Sequence, residues 1–363
     1  MIRSPNTVLA NCLRDPLDLI RPRLELGKAT EVVFVVGTQI NGVPHIGTYL
    51  VQCASFILAQ RTRQRFGIDT SVMFSALDNA PHDIIKAASG HDYQRTYRHA
   101  LPHSELQAII DHYYTSLFCR LEEVTETKYV MQSYTQIQAS SQFRQHFLRT
   151  LQVAEQIRWC VAPANGALRI RIPCPKCAYA EKYADRTELI SLTQDEAIFR
   201  CMCLNHGTYE VVVTTDTEDA YLDLNTVYRN LVKESLCADD TERLYVMVKG
   251  GDWAFSCQPV DWGLGLLGYT AIDVPMRLFT PQIVTETGAK LSKSLIRDGD
   301  KTMNQVPEWI LDMGCFMERS PNYLEQLIWL VNQFMGHPRH MYRAYSYQEI
   351  IRILDHMGQK EES

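Results

Sequence analysis

This sequence of 363 residues lacks three features that would place it in a membrane, outside the cell or on nucleic acid. No apolar run approaches the roughly 20 residues that a membrane-spanning helix needs. Asp15 and Asp18 interrupt the amino-terminal segment in which a secretory signal would have a continuous apolar core. The net charge of −6 gives no overall basic field, so binding to nucleic acid would require a local basic patch. We therefore expect a cytoplasmic protein with no membrane partner.

Internal repeats and low-complexity stretches are also absent. The 11 cysteines are not expected to form a disulfide framework in a cytoplasmic chain. Hydrophobic residues make up 46% and charged residues 21% of the chain, which is typical of a globular protein. The length predicts two or three structural units.

The first part of the chain has the pattern of a strand, a helix and a second strand. The β-branched apolar run at 31–36 predicts a strand of a parallel sheet that is covered on both faces. Apolar residues at helical spacing follow from Ile46, and Gly67 is well placed to end that helix. A further strand at 71–77 would complete a right-handed βαβ unit. The helix start favours an anion, because its unpaired N–H groups and the helix dipole both attract negative charge.

The rest of the chain divides into stretches of different pattern. Residues 92–160 have helical spacing, and we predict two or three helices there. Residues 161–215 change to short alternating strands with clustered cysteines, which indicates an inserted module. The α/β pattern then returns, with strands at 244–248 and 276–284 and a helix opening at 260–268, before a helical carboxy-terminal segment.

Three short segments carry groups suited to a nucleotide. His45, at the helix start, can donate a hydrogen bond to phosphate, although a capping or core histidine is the alternative interpretation. Gly47 has no side chain, so a flat group can lie against the backbone there. Asp252 follows a predicted strand, where a carboxylate can accept hydrogen bonds from ribose hydroxyls. Lys290 and Lys293 lie in a glycine-containing loop and can neutralise charge on a transferring phosphate; a solvated basic turn is the alternative.

A separate cluster has the spacing of a structural zinc site. Cys174 and Cys177 form a C-x2-C pair, and Cys201, Cys203 and His206 follow across a short β segment. These are five candidates for four positions, so either Cys201 or Cys203 is surplus. A redox C-x-x-C pair is the alternative, but such a pair normally opens a helix beside a βαβ unit. We therefore predict Zn²⁺ in a structural role.

The nucleotide segments resemble the signature elements of class I aminoacyl-tRNA synthetases. INGVPHIGT at 40–48 resembles their HIGH element, and KLSKS at 290–294 resembles their KMSKS loop. The order agrees as well, with an insertion between the two elements. The resemblance covers residues 30–300 and implies ATP-dependent adenylation of a carboxylate, usually that of an amino acid, with release of pyrophosphate. It also implies Mg²⁺ as the companion of the triphosphate.

The resemblance assigns roles residue by residue. Catalytic roles go to His45, Thr48, Lys290 and Lys293. The ATP site is expected to contain those four residues together with Gly37, Thr38, Gly47, Gly251, Asp252, Leu291 and Ser292. Thr48 stands where the family has a second histidine, and its hydroxyl can still bond to phosphate, so we expect altered strength rather than lost chemistry.

The patterns and the resemblance together imply an α/β fold. We expect a Rossmann-like doubly wound parallel sheet with an inserted zinc-binding module and a short helical carboxy-terminal region. The expected divisions are the first half of the sheet at 1–91, the inserted region at 92–240 with the zinc module at about 161–215, the second half with the KLSKS loop at 241–300, and the helical region at 301–363.

The resemblance also suggests a substrate. Zinc modules inserted at this place are similar to those of the methionyl, cysteinyl and class I lysyl enzymes, and the run around His206 is most similar to the lysyl type. A lysine-like substrate, our first expectation, needs a carboxylate for its ammonium. Asp78 is the first candidate, with Asp83 and Asp261 behind it, although each also suits a cap or a turn. The other expected pocket residues are His82, Trp253, Gln258 and Trp262.

The acceptor of the activated group stays open. Only residues 295–363 follow the KLSKS loop, whereas most synthetases of this class have a far larger anticodon-reading region there. The acceptor is a tRNA, a small amine, a thiol or a carrier protein. Two other functions remain as alternatives: a nucleotidyltransferase of the same superfamily, and a catalytically silent paralogue that binds an amino acid or a partner protein. The sequence predicts no oligomeric state.

Overall fold

The computed structural model describes residues 13–216, 220–292, 299 and 303–361. The first part of the chain alternates strands with helices. Its elements are, in order, a 3-10 turn (Pro16–Leu19), α1 (Arg21–Leu26), β1 (Glu31–Gln39), α2 (Ile46–Phe66), β2 (Asp69–Leu77), β3 (Pro81–Lys86), β4 (Asp92–Thr96), α3 (Tyr97–Ala100), α4 (His103–Ile110), a π-helical turn (Asp111–Thr115), α5 (Ser116–Thr125) and β5 (Lys128–Ser133).

The middle part contains the inserted module and the helices beside it. Its elements are α6 (Tyr134–Ala139), α7 (Ser141–Leu151), α8 (Ala154–Val161), β6 (Ile170–Arg171), β7 (Ala180–Glu181), β8 (Glu188–Leu192), β9 (Glu196–Cys203), β10 (Gly207–Thr214), β11 (Asp223–Leu224) and α9 (Thr226–Asp239).

The last part returns to the α/β pattern and ends in helices. Its elements are β12 (Arg243–Gly250), a 3-10 turn (Gly251–Trp253), α10 (Ala254–Leu266), β13 (Met276–Thr280), β14 (Gln282–Val284), α11 (Glu308–Leu311), α12 (Met313–Arg319), α13 (Tyr323–Met335), α14 (Pro338–Met341), β15 (Ala344–Ser346) and α15 (Tyr347–Glu361). Within the described ranges, no helix combines the length and the apolar character that crossing a membrane requires.

The central sheet has five parallel strands in the spatial order β13-β12-β1-β2-β5. The chain starts in the middle at β1, builds outwards to β5, and then returns to β12 on the other side of β1. This return creates a topological switch point between β1 and β12. In open parallel sheets, ligands bind in the crevice beyond the carboxyl ends of the strands at such a point. The arrangement is consistent with the expected Rossmann-like fold.

Different helices cover the two faces of the sheet. Alternate residues of a strand point to opposite faces, so each strand contributes side chains to both helix layers. Phe34 and Val36 of β1 are buried in the same cluster as the apolar residues of α2. Val33 and Val35 are buried on the other face together with Cys237 of α9. The crevice at the end of β1 can therefore receive side chains from α2 on one face and from α9 on the other.

The inserted module forms a second hydrophobic core together with α7 and α10, separate from the core of the central sheet. Phe147 of α7 stacks on Phe199 of β9, with ring centroids 6.1 Å apart. Val260 and Leu264 of α10 are buried in the same cluster. The module is thereby attached to the helices that precede and follow β12.

The carboxy-terminal helices pack onto the central domain. Leu327 and Val331 of α13 are buried in one cluster with Phe56 of α2. Strand β15 pairs in parallel with β14, which joins the end of the chain to the segment that precedes Lys290.

Two strands lie where the sequence pattern predicted only helices. Strand β4 pairs with β3, and β5 pairs with β2 at the edge of the central sheet. The first half of the sheet therefore extends beyond residue 91, the expected boundary. Strand β5 lacks an apolar run because it is an edge strand, with Lys128, Val130 and Gln132 exposed.

The single strand predicted at 276–284 is two strands, separated at Pro281. Proline has no N–H to donate to a strand ladder, so it interrupts regular pairing. Strand β13 ends at Thr280 beside β12, whereas β14 begins at Gln282 and pairs with β15. The predicted helix start at 260 is also late, because α10 begins at Ala254 and continues through Pro259.

Candidate nucleotide site and metal centre

A cavity of about 250 Å³ lies at the switch point of the sheet. Its walls come from the carboxyl ends of β1 and β12, the start of α2, the middle of α9 and the loop after β14. Most predicted ATP-site residues line it, namely Gly37, Thr38, His45, Gly47, Thr48, Asp252, Lys290, Leu291 and Ser292. The fold therefore brings together two segments that are far apart in the sequence.

Two predicted ATP-site residues are not placed at this wall. Lys293 lies outside the described residues. Gly251 does not line the cavity, and a Cβ atom at this position would lie 3.3 Å from the carbonyl oxygen of Thr280, so this glycine allows close packing against β13. Its neighbour Gly250 lines the cavity instead, and a Cβ there would lie 2.6 Å from Oδ1 of Asp252.

The start of α2 forms one end of the cavity. His45 is the N-cap residue, with φ −94° and ψ 168°, and its carbonyl oxygen accepts a hydrogen bond from the Thr48 N–H at 2.8 Å. The His45 side chain makes no capping hydrogen bond to the helix, so the capping interpretation of this histidine is wrong. The imidazole is buried, and it packs against Gly47. The first turn of the helix is thus not capped by the side chain of its own N-cap residue.

Lys290 and Asp252 form an ion pair at the cavity wall. The loop that contains Lys290 is held in place because the Leu291 N–H donates to the Ile283 carbonyl at 3.1 Å. The sequence assigned Asp252 to ribose hydroxyls and Lys290 to phosphates as separate tasks. Their pairing means that a ligand which binds one of them must compete with the other.

Replacing Gly47 with alanine is expected to raise the KM for ATP by about tenfold without loss of stability. The new Cβ would lie 3.1 Å from two atoms of the His45 ring, so the ring must shift by a few tenths of an ångström. Alanine itself favours a helix more than glycine does. Steady-state kinetics with ATP as the varied substrate, together with thermal unfolding, measures both effects.

The matched control is Gly265→Ala in α10, where a Cβ meets no atom within 4 Å. This control should leave the KM for ATP unchanged. An unchanged KM in Gly47→Ala as well would show that the position of the His45 ring does not matter for ATP.

A buried charge network begins at the α9 end of the cavity wall and continues behind it. Glu234 of α9 pairs with Lys249 of β12 at 3.0 Å and also with Arg277 of β13, which pairs in turn with Asp261 of α10. The Glu234 side chain is only 1% exposed. Burial raises the pKa of Glu234, but the charges of Arg277 and Lys249 outweigh that effect, so the pKa lies below its usual value. The sequence reasoning missed this network, although Arg277 is the single charge of β13 and Lys249 directly follows the apolar run at 244–248, and both were usable signals.

Replacing Glu234 with glutamine is expected to lower the free energy of unfolding by about 3–5 kcal/mol at neutral pH, because it leaves buried cations without their counter-charge. In the native chain the stabilisation by Glu234 is present above the unfolded-state pKa and is lost as the pH falls through the lower folded-state pKa. The difference between the native protein and the variant should therefore shrink in acid. Urea denaturation at neutral and acidic pH measures it.

The control for this experiment is Glu188→Gln, an exposed partner of Arg200 in the inserted module. An exposed ion pair contributes at most about 1 kcal/mol. Equal effects of the two substitutions would contradict the stabilising role of the Glu234 network.

Of the expected substrate residues, only Trp253 lines the cavity. Asp261 lies beneath it, where it pairs with Arg277. Gln258 and Trp262 are exposed on α10 and do not line the cavity. The reason is the earlier start of α10, which places these positions on the outer surface of the helix.

Asp78 lines a different cavity, of about 580 Å³, at the end of β2. Its carboxylate accepts a hydrogen bond from the Thr135 N–H at 3.1 Å, and burial raises its pKa. His82 and Asp83 form a local pair at 2.6 Å, and Asp83 also binds Arg95. The structure therefore does not bring these three residues to the nucleotide segments.

The cysteine cluster is assembled from two turns that face each other. The Sγ atoms of Cys177 and Cys203 are 3.4 Å apart, and His206 Nδ1 lies 3.5 Å from both Cys174 and Cys203. All four ligand atoms lie within 4.8 Å of one another. Tetrahedral zinc with bonds of about 2.0–2.3 Å requires ligand separations of this size. Three thiols and one imidazole therefore suit zinc.

Cys201 is not part of this group. Cys201 and Cys203 of β9 are both buried on the same face of the strand. Cys203 lies beside the hairpin turn, opposite Gly207, whereas Cys201 lies two residues away from the turn, opposite Tyr209. Cys201 is buried in the core of the inserted module. Of the two cysteines between which the sequence left the choice open, only Cys203 lies close enough to the hairpin turn to join the cluster.

Comparisons with known proteins give matches to solved structures. No protein-family profile matches this sequence, and no curated protein matches it. Three similar structures are aminoacyl-tRNA synthetases: tyrosyl-tRNA synthetase with L-tyrosine from Archaeoglobus fulgidus (TM-score 0.41, 14% identity, 81% of this chain and 66% of that chain), a putative arginyl-tRNA synthetase from Campylobacter jejuni (0.40, 8%, 93% and 70%), and Mycobacterium tuberculosis methionyl-tRNA synthetase with methionyl-adenylate (0.43, 11%, 89% and 68%). The match to the tyrosyl enzyme thus spans just under two thirds of that chain. These are similarities of fold at low identity and say nothing about the substrate of this chain.

Proposed function

We propose that this chain activates an amino acid by adenylation. A carboxylate oxygen of the amino acid attacks the α-phosphorus of ATP, the bond from that phosphorus to the bridging oxygen breaks, and pyrophosphate leaves. The observation that supports this proposal most is the cavity at the switch point, where the start of α2 and the loop of Lys290 meet. The described residues of the two segments that the resemblance assigns to ATP both line this cavity.

The residues of the cavity would act by positioning and by charge stabilisation rather than by covalent chemistry. His45 and Thr48 at the start of α2 would bind phosphate oxygens, since the helix dipole also favours an anion there. Lys290 would neutralise the negative charge that builds up on the departing pyrophosphate. Asp252 would accept hydrogen bonds from the ribose once Lys290 turns to the phosphates.

Two metal ions belong to the proposal. Both carboxylates that line the cavity in the described chain, Glu234 and Asp252, already have basic partners. We therefore expect the phosphate oxygens to supply most of the Mg²⁺ ligands. Zn²⁺ would be bound by Cys174, Cys177, Cys203 and His206 in a structural role, because four protein ligands leave no open position.

Amino-acid-dependent ATP–pyrophosphate exchange, run separately with each of the twenty amino acids, tests the proposal. Exchange that depends on one amino acid or on a few related ones is the expected result. Exchange with none would contradict adenylation and favour one of the two alternatives. A nucleotidyltransferase would release pyrophosphate only with a phosphorylated co-substrate, and a silent paralogue would not release it at all.

The acceptor is tested once the amino acid is known. Acylation of total tRNA with the labelled amino acid would identify tRNA as the acceptor. Adenylate formation without acylation of tRNA would favour a small amine, a thiol or a carrier protein.

A further inference from the structure

The end of the cavity formed by α9 contains two cations, Arg229 and Lys233. Their nearest described carboxylates, Asp223 and Glu234, form their ion pairs with other basic residues. We propose that this end binds the acidic side chain of the substrate, so that the activated amino acid is of the aspartate or glutamate class. This inference rests on the proposed function and specifies its substrate.

Lys233 is the first cation that carries the inference. Its Nζ donates to the Ser75 hydroxyl of β2 at 2.8 Å, which satisfies one of its three donors but not its charge. Among the residues that the structure describes, no carboxylate lies within ion-pair distance of this ammonium. Burial is the main cause that lowers the pKa of Lys233 to about 8; the charges of Arg229 and Lys249 lower it further, and the charge of Glu234 raises it.

Arg229 is the second cation, one turn earlier on α9, and it also lines the cavity. It is only 5% exposed. Its described contacts are the Thr226 hydroxyl at 3.5 Å and the Tyr134 ring, whose centroid is 5.9 Å away. Neither contact carries a full negative charge, and the nearby Asp223 is paired with Arg171; burial therefore outweighs the charge of Asp223, and the pKa of Arg229 lies below its usual value. A bound carboxylate would supply the missing charge to both cations and accept hydrogen bonds from them.

A lysine-like substrate fits this end poorly. Glu234 is engaged by Lys249 and Arg277, and Asp252 is engaged by Lys290. A substrate ammonium would therefore add a further cation where positive charge already exceeds negative charge. The cost of a buried, uncompensated charge makes that arrangement unfavourable.

The triphosphate of ATP is the other anion that these cations could bind. The placement of α9 argues against it, because α9 and α2 cover opposite faces of the sheet. Lys233 donates to Ser75, two residues beyond Met73, which packs on the α9 face of the sheet. The phosphates would lie at the α2 end, near His45 and Lys290, and the side chain of the amino acid at the α9 end.

The test compares matched pairs of substrates that differ only in charge. We expect exchange with glutamate or aspartate and at least about 100-fold less with the corresponding amide, as for loss of a charge-assisted contact. In Lys233→Met, the KM for the acidic amino acid should rise by about 100-fold, with little change in the KM for ATP. Lys233→Arg should restore part of the affinity. Lys128→Met, at the exposed amino end of β5, is the matched control and should behave as the native protein does.

The outcomes separate this inference from the proposed function. Exchange with lysine or a neutral amino acid alone would overturn the inference and leave adenylation intact. A rise in the KM for ATP in Lys233→Met, with an unchanged KM for the amino acid, would assign the cations to the triphosphate and also overturn it. If no amino acid supports exchange, the proposed adenylation activity is rejected. Equilibrium dialysis with labelled glutamate, aspartate and their amides then measures whether the α9 end of the cavity still binds an acidic side chain. Acid-selective binding that is lost in Lys233→Met would support the site, and equal or absent binding would overturn it.

Discussion

Replacing Lys290 with methionine is expected to lower the turnover of amino-acid-dependent pyrophosphate exchange by about 10²–10³-fold, the usual cost of one group that stabilises developing charge. The KM for ATP should change much less, because the ammonium matters most when charge builds up on the leaving pyrophosphate. Methionine keeps the aliphatic part of the side chain, which is half-exposed at the cavity wall. The measurement is the isotope-exchange rate at saturating ATP and amino acid.

Two further variants show whether Lys290 acts on the substrate or only holds Asp252. Lys182→Met removes another lysine that pairs with an aspartate, Asp92, at 3.9 Å and does not line the cavity. It should leave turnover unchanged. If Lys290 served only as the partner of Asp252, Asp252→Asn and Lys290→Met would have the same kinetics. The two variants would then show the same change in turnover and the same change in the KM for ATP. Native turnover in Lys290→Met would contradict its catalytic role altogether.

Replacing Cys203 with alanine is expected to abolish zinc binding and to destabilise the inserted module strongly. Cys203 Sγ contacts both Cys177 and His206, so its loss opens the ligand set. Structural zinc contributes about 10–16 kcal/mol to the folding of isolated zinc-finger peptides, which sets the upper limit for this module. Metal content by mass spectrometry and the thermal unfolding midpoint measure the two effects.

Cys201→Ala is the control, since it removes a thiol from the same strand and the same face. It should keep the full zinc content and lose only the packing of one buried sulfur atom. Equal loss of zinc in both variants would show that the metal is held differently from the four-residue set. A native protein that contains no zinc after expression with ample zinc would contradict the centre as a whole.

The parts of the site that could be predicted have local signals. The run of β1 and the periodic residues of α2 place His45 and Gly47 at a helix start, and the structure has them there. The pair of turns that holds Cys174 and His206 was likewise visible as spacing. In both cases the chemistry lies within a few residues of the element that positions it.

The parts that could not be predicted depend on contacts between distant segments. Lys233 and Glu234 lie on a helix with an ordinary apolar face, and their surroundings are decided by β2, β12 and β13. Asp78, Gln258 and Asp261 had suitable chemistry, but the direction of their side chains depends on where β2 and α10 begin and end. The sequence therefore placed fewer of the substrate-pocket residues than of the ATP-site residues at the cavity. The two described carboxylates that line the cavity, Glu234 and Asp252, are already paired with basic side chains.

The central claim is that a substrate carboxylate attacks the α-phosphorus of ATP, and an oxygen-transfer experiment tests it most directly. The amino acid that supports exchange is labelled with ¹⁸O in its carboxylate and incubated with ATP, and the adenylate is trapped with hydroxylamine. Adenylation predicts that one ¹⁸O atom appears in AMP and none in pyrophosphate, because the bridging oxygen stays with phosphorus when the acyl group leaves. Label in inorganic phosphate, with ADP as the nucleotide product, or AMP without label, would contradict the account.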